Sequence, residues 1–155
     1  MTPQELQTLL KPMAERIRGK ALDKNLEAEL NRAFPAGSDA FRAIERACHA
    51  AIAAGWMCNR EAGGIKYGRV AKPASELAGC SVDVVEMESV KGPHHRHPAG
   101  EIDLIMPITP GAKFDGHGAG WLVYPPASAH HPTVTEGKAL VLYLLPEGAI
   151  EFTRA

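Results

Sequence analysis

The chain has 155 residues, 45% of them hydrophobic and 23% charged, with a formal net charge of −1. That length suffices for one domain with a substantial core, and the near-neutral balance gives no electrostatic reason to expect nucleic acid or an anionic membrane as a partner. No apolar run approaches the roughly 20 residues that span a bilayer, and neither a dinucleotide fingerprint nor a P-loop is present, so no nucleotide cofactor is expected.

Residues 1–55 read as a helical segment. Thr2-Pro-Gln-Glu5 is a capping box with proline at the first helical position, and Gly19 is the expected stop. Between them Leu6, Leu9, Leu10, Met13 and Ile17 recur at helical spacing. Asp23 caps a second helix carrying Leu22, Leu26, Leu30 and Phe34, which Pro35-Ala-Gly37 ends. Ser38 or Asp39 opens a third, with Phe41, Ile44, Cys48 and Ile52 on one face and Gly55 closing it. His49 beside that face is assigned no role. The three cysteines, Cys48, Cys58 and Cys80, form no CxxC pair and are odd in number, which disfavours a disulfide framework. The first residues lack the basic and apolar regions of a signal peptide, so a reducing cytoplasm is the expected location.

After Gly55 the hydrophobic period changes from 3.6 to 2. Trp56 to Arg60, Ile65 to Val70, Ser81 to Val90, Ile102 to Pro107, Ala119 to Tyr124, Ala139 to Leu145 and Ala149 to Thr153 read as short strands separated by glycine and proline. Seven or eight such strands predict a sandwich or barrel over residues 56–155. The helices are expected to pack on it or to build a dimer interface.

The chemistry concentrates in Gly92-Pro-His-His-Arg-His-Pro-Ala-Gly-Glu-Ile-Asp103. On a strand, His95 and His97 point the same way, and Pro98-Ala-Gly100 permits a bend that returns Glu101 to their side. Two imidazoles and a carboxylate converging on one point are the ingredients of a divalent-metal site. A second cluster, His130-His131, lies about thirty residues downstream. Asp103 shares parity with Glu101 and is a second candidate acid or base. His131 faces away from His130 on a regular strand, so structural and catalytic roles both stay open for it. Arg69 shares a face with Ile65 and Tyr67 and is expected to point inward. Arg60 and Arg96 are weaker candidates, and His117, between two glycines, reads as a turn residue.

His95-Arg-His97-Pro-Ala-Gly-Glu101 resembles the first motif of the cupin superfamily, and Pro125-Pro-Ala127-Ser-Ala-His130 resembles the second, with alanine where the motif has glycine. The resemblance covers the β half. It implies a small jelly-roll barrel holding one divalent transition metal (iron, manganese, zinc or nickel) through His95, His97, Glu101 and His130. The fold class expected is therefore mainly β, a cupin-like barrel preceded by three helices.

A narrower resemblance spans nearly the whole chain. Cys58-Asn-Arg-Glu-Ala-Gly-Gly-Ile-Lys-Tyr-Gly-Arg69, the stretch from Gly92 to Pro107, Phe114-Asp-Gly-His-Gly-Ala-Gly-Trp121 and Leu140-Val-Leu-Tyr-Leu-Leu-Pro146 are similar to the 4-hydroxylaminobenzoate lyase family. That resemblance implies conversion of 4-hydroxylaminobenzoate to 3,4-dihydroxybenzoate (protocatechuate) with release of ammonia, in nitroaromatic degradation. Such a reaction has no net redox change and must break an N–O bond, which needs an acid or a Lewis acid on the departing oxygen. Glu101, Asp103 and His131 are the candidate catalytic groups. Arg69 is the candidate for the substrate's carboxylate, and Trp121 and Tyr124 are candidates to stack on its ring or simply to pack the core. A homo-oligomer, specifically a dimer, is the expected assembly. The rival readings are an aromatic dioxygenase and a non-catalytic cupin that binds a small aromatic acid.

Overall fold

The computed structural model describes residues 1–154. Three helices lead: α1 (Pro3–Ile17), α2 (Lys24–Ala33) and α3 (Asp39–Ala54). Each begins where a side chain accepts an otherwise unpaired first-turn N–H. Thr2 accepts from Glu5 N, Asp23 from Leu26 N and Ser38 from Phe41 N, at 3.2, 3.0 and 3.3 Å. Gly55 closes α3 at φ 88°, a left-handed cap that glycine adopts without a Cβ penalty.

Ten strands follow: β1 (Arg60–Ala62), β2 (Ile65–Ala74), β3 (Cys80–Lys91), β4 (His95–His97), β5 (Glu101–Pro107), β6 (Lys113–Phe114), β7 (Gly120–Tyr124), β8 (Ser128–His130), β9 (Thr133–Pro146) and β10 (Glu151–Phe152). All pairings are antiparallel. One sheet runs β1-β2-β3-β9-β5-β7, with β6 also on β9, and a smaller one runs β10-β4-β8. The segment Trp56–Arg60, expected as a strand, is mostly turn, and the first strand starts at Arg60. β9 begins earlier than expected because Gly137 does not end it. The strand runs through Glu136 (φ 64°) and Gly137 (φ 131°), where a Cβ would collide with Thr109.

In the large sheet, β5, β7 and most of β3 and β9 are buried on both faces, and strand parity decides what lies where. On β9, Leu140, Leu142 and Leu144 join the helices, Val82 and Val84 of β3, and Ile102, Leu104 and Met106 of β5 in one core. The alternate residues Val141, Tyr143 and Leu145, with Ile105, Met87 and Phe114, form a second core on the opposite face. The helices thus cover one face of the large sheet. Glu101 and Asp103 share the parity of Ile105, so β5 aims both carboxyls away from the helices, toward the second core.

Strand β7 ends the large sheet, and α2 covers that edge with polar groups. Asn31 exchanges two hydrogen bonds with the Trp121 backbone, at 2.8 and 2.9 Å, and Glu27 accepts from Val123 N at 2.9 Å. An edge strand's free N–H and C=O groups are thereby satisfied within the chain.

Candidate active site

The small sheet supplies the imidazoles. β4 and β8 pair so that His95 stands directly across from His130, while His97 lies two residues along on the same face as His95. Gly100, at φ 89°, turns the chain from β4 into β5; a Cβ there would meet Leu22 and the Tyr124 carbonyl. This turn carries Glu101, the first residue of β5, onto the facing sheet. Ala127, where the cupin motif has glycine, takes a left-handed conformation at φ 67°.

His95, His97, Glu101 and His130 each offer one ligand atom, all within 4.8 Å of one another. Nε2 of His130 is 2.9 Å from Nε2 of His95 and 3.2 Å from Nε2 of His97. Glu101 Oε2 is 3.2 Å from the same nitrogens of His97 and His130. Ligand atoms about 2.1 Å from one ion stand about 3.0 to 3.4 Å apart in octahedral or tetrahedral shells, so these separations fit a transition metal. The donor chemistry fits as well. Glu101 and His97 are completely buried, and the groups that reach Glu101 Oε2, at 3.2 Å, are the His97 and His130 imidazoles. A buried carboxylate so placed needs a cation.

The proton affinities of the cluster diverge. Burial pulls His95 down to about 4, with His97 adding to the effect, so His95 is a neutral donor. Burial also pulls His130 down, but hydrogen bonds to Asp115 and Glu101 outweigh it and lift the imidazole to about 9. Burial pushes Glu101 up, and its contacts with His130 and His97 more than reverse this. Asp103 is completely buried, and its oxygens have no partner among the described residues. Burial and then the Glu101 charge push its carboxyl far above the usual range, which makes it a neutral acid beside the cluster.

Asp115 is the site residue that sequence reasoning missed. Its Oδ2 is 2.6 Å from His130 Nδ1 and accepts from the Tyr124 hydroxyl at 2.6 Å, while Oδ1 accepts from Thr133 N at 2.8 Å. A carboxylate on Nδ1 selects the tautomer that leaves Nε2 free to ligate. The only signal for it in the sequence is an aspartate opening the turn Asp115-Gly-His-Gly118. His117 in that turn exchanges two backbone hydrogen bonds with Phe114 and has the turn role expected of it.

A cavity of about 430 Å³ adjoins the cluster. Its wall includes Ile65 and Tyr67 from β2, Val85 and Met87 from β3, Tyr143 and Leu145 from β9, Phe152 from β10, and His95 itself. The remaining expectations meet this geometry unequally. Tyr124 sits beside His130, ring centroids 4.6 Å apart, and is not among the residues that line the cavity. Trp121 does not face the cavity: it has the opposite parity to Tyr124, packs in the helix-side core, and donates from Nε1 to Phe34 O at 3.2 Å. Arg69 does not point inward among apolar residues. Its side chain is 39% exposed, with Nε donating to Asp83 at 2.9 Å and Nη2 to Gly148 O at 3.1 Å. Asp83 lines the cavity, so Arg69 stands at the rim with its fork largely committed. His131 lies outside the four-residue group; its Nδ1 is 3.1 Å from Gly92 O and its ring lies tilted against that of His94, centroids 4.9 Å apart.

Two facing antiparallel sheets, with three histidines and one glutamate gathered between them, make this a cupin-class barrel with a metal-ligand set. Comparison with known proteins narrows the class. The chain belongs to the 4-hydroxylaminobenzoate lyase family, whose pattern, described as PnbB: 4-hydroxylaminobenzoate lyase, matches residues 8–152. It is 33% identical over 160 residues to a 4-hydroxylaminobenzoate lyase of Nocardioides sp. (strain LMS-CY), covering 97% of this chain and 95% of that one. It is 29% identical over 154 residues to a protein of the same description from Pseudomonas putida, covering 88% of each. Among solved structures, an RmlC-like cupin protein from Ralstonia eutropha JMP134 aligns over 59% of this chain and 60% of that one, with TM-score 0.44 and 12% identity. The protein is accordingly an enzyme, a lyase.

Proposed function

We propose that this enzyme converts 4-hydroxylaminobenzoate and water to 3,4-dihydroxybenzoate and ammonia. Atoms balance with one water consumed and no external oxidant or reductant. The N–O bond breaks and its oxygen leaves as water. A second water adds to the ring carbon beside C–N, a third hydrolyses the imine and expels ammonia, and loss of the ring proton restores aromaticity. An arylhydroxylamine arises by partial reduction of a nitroarene, so a nitro-reducing enzyme must supply this substrate.

The observation that carries the reading is His95, which belongs both to the ligand set and to the cavity wall. A ring in the cavity therefore has its reacting substituent against the cluster. A divalent ion held by His95, His97, Glu101 and His130 would supply Lewis acidity toward the departing oxygen. The chain's own groups do the rest. Asp115 and Tyr124 fix the His130 ring, Asp103 holds a proton beside Glu101, and the apolar wall limits water at the ring. Among the described residues no lysine or arginine lines the cavity. The substrate's carboxylate is assigned to the mouth, where Nη1 of Arg69 has no hydrogen-bond partner among the described residues.

Ammonia release from 4-hydroxylaminobenzoate, measured alongside dissolved oxygen, tests this. The expected result is stoichiometric ammonia and 3,4-dihydroxybenzoate with no oxygen uptake. Oxygen consumption matching turnover would assign the site to a dioxygenase instead.

A further inference from the structure

Two aromatic side chains at the cavity are more exposed than their chemistry favours. Phe152 is 69% exposed and Tyr67 38%, and both line the cavity that touches His95. They come from different elements. Tyr67 stands on β2 of the large sheet, whereas Phe152 stands on β10 of the small one, paired with β4 opposite His95. Its ring meets the His95 imidazole edge to face, with centroids 5.9 Å apart.

The segment that carries Phe152 is tied down on both sides. Arg69 donates to Gly148 O at 3.1 Å, the Arg96–Glu151 ion pair spans 3.3 Å, and Thr153 N donates to His94 O at 3.0 Å. An isolated exposed apolar side chain needs no explanation, but one held in place over an apolar cavity does. The cavity's volume of about 430 Å³ exceeds the roughly 150 Å³ that suffices for benzene, so a substituted ring fits with Tyr67 and Phe152 at its mouth. Asp83 is the one carboxylate in the wall, and both its oxygens are engaged, by Arg69 and by Ser81 Oγ. What remains is an aromatic and aliphatic surface suited to a flat ring rather than to an ion.

We propose that Tyr67 and Phe152 are the substrate-binding residues that grip the aromatic ring, setting specificity by ring shape while the cluster handles the hydroxylamine. This deepens the lyase reading and rests on it for the identity of the substrate. Aromatic pairs contribute enough beyond simple burial for each lost ring to weaken binding about 3- to 10-fold.

The test uses Phe152→Leu and Tyr67→Leu in the metal-loaded protein, with benzoate and cyclohexanecarboxylate as unreactive probes in calorimetric titrations. Wild type should prefer benzoate, and each variant should lose about 3- to 10-fold in benzoate affinity with little change for the saturated acid. With 4-hydroxylaminobenzoate, KM should rise while kcat and metal content hold. Tyr67→Leu lies away from the ligand set, so its effect cannot come from a disturbed His95. Unchanged benzoate affinity in both variants overturns the proposal. So does a shift in oligomeric state by light scattering with benzoate binding intact, since a second copy would then be what covers these rings. Should wild type bind benzoate in this way yet release no ammonia, the ring site stands and the lyase reading falls.

Discussion

At the scale of single residues, His95, His97 and Glu101 were legible because their spacing is local: two alternate positions on a strand, a bend, and a carboxylate. His130, about thirty residues on, came only with the resemblance to the second cupin motif. Asp115 was not legible, because nothing in Phe114-Asp-Gly-His-Gly118 says that the turn folds back under His130. Its contribution is measurable. Asp115→Asn keeps an acceptor for His130 Nδ1 but removes the charge, and orienting carboxylates of this kind are typically worth about 10- to 100-fold in metal affinity. Competition with a chelating dye should show that loss, and an unchanged dissociation constant would leave Asp115 with only a turn to hold. Arg69 calls for a narrower expectation than parity alone suggested. With Nε and Nη2 engaged, it has Nη1 left, enough for one charge-assisted bond of about 1.5–3 kcal/mol, or roughly 10- to 150-fold in affinity. Arg69→Ala should raise KM for 4-hydroxylaminobenzoate by that factor beyond any rise for hydroxylaminobenzene, which has no carboxylate. Equal penalties for both would mean that Arg69 serves only to tie Gly148 to Asp83.

Among the elements, the helices and the long strands could be read from caps and period, whereas β1, β6 and β8 could not. Strands of two or three residues are too short to display alternation, and they owe their pairing to the facing strand rather than to their own sequence. Trp121 shows the cost of ignoring parity. Gly120-Trp-Leu-Val-Tyr124 places Trp121 and Tyr124 on opposite faces, so at most one of them could meet a ligand in the barrel. The helix-side placement of Trp121 depends on α2, and Asn31 is the residue that makes the connection. Asn31→Ala leaves both a donor and an acceptor of the Trp121 backbone without partners in a half-buried seam. Each orphaned group costs about 1–3 kcal/mol, and each kcal/mol lowers Tm by about 2–4 °C at this chain length. Calorimetry should therefore find a drop of several degrees with metal content unchanged. A Tm within a degree of wild type would show that water replaces Asn31 at no cost.

For the whole molecule, the arrangement separates what holds the fold from what a bound metal would hold. The helix-side core and the long β3–β9 pairing involve none of the four ligands. The small sheet is different: β4, β8 and β10 are short, and His95, His97 and His130 make up much of their inward surface. Removing the ion should consequently loosen the small sheet and spare the large one. At free metal 100 times its dissociation constant, binding contributes about 2.7 kcal/mol of stability, so complete chelation should lower Tm by about 5–11 °C. The circular dichroism of helices and strands should survive, since both cores remain packed. Hydrogen exchange should accelerate at Arg96 and Ala129 while Val84 and Leu142, paired in the middle of the large sheet, stay protected. Global loss of protection on chelation would refute this division, because the ion would then be holding the helix-side core as well. No change anywhere would mean that the three histidines and Glu101 are held in place by packing alone, and that metal enters a site the fold has already built.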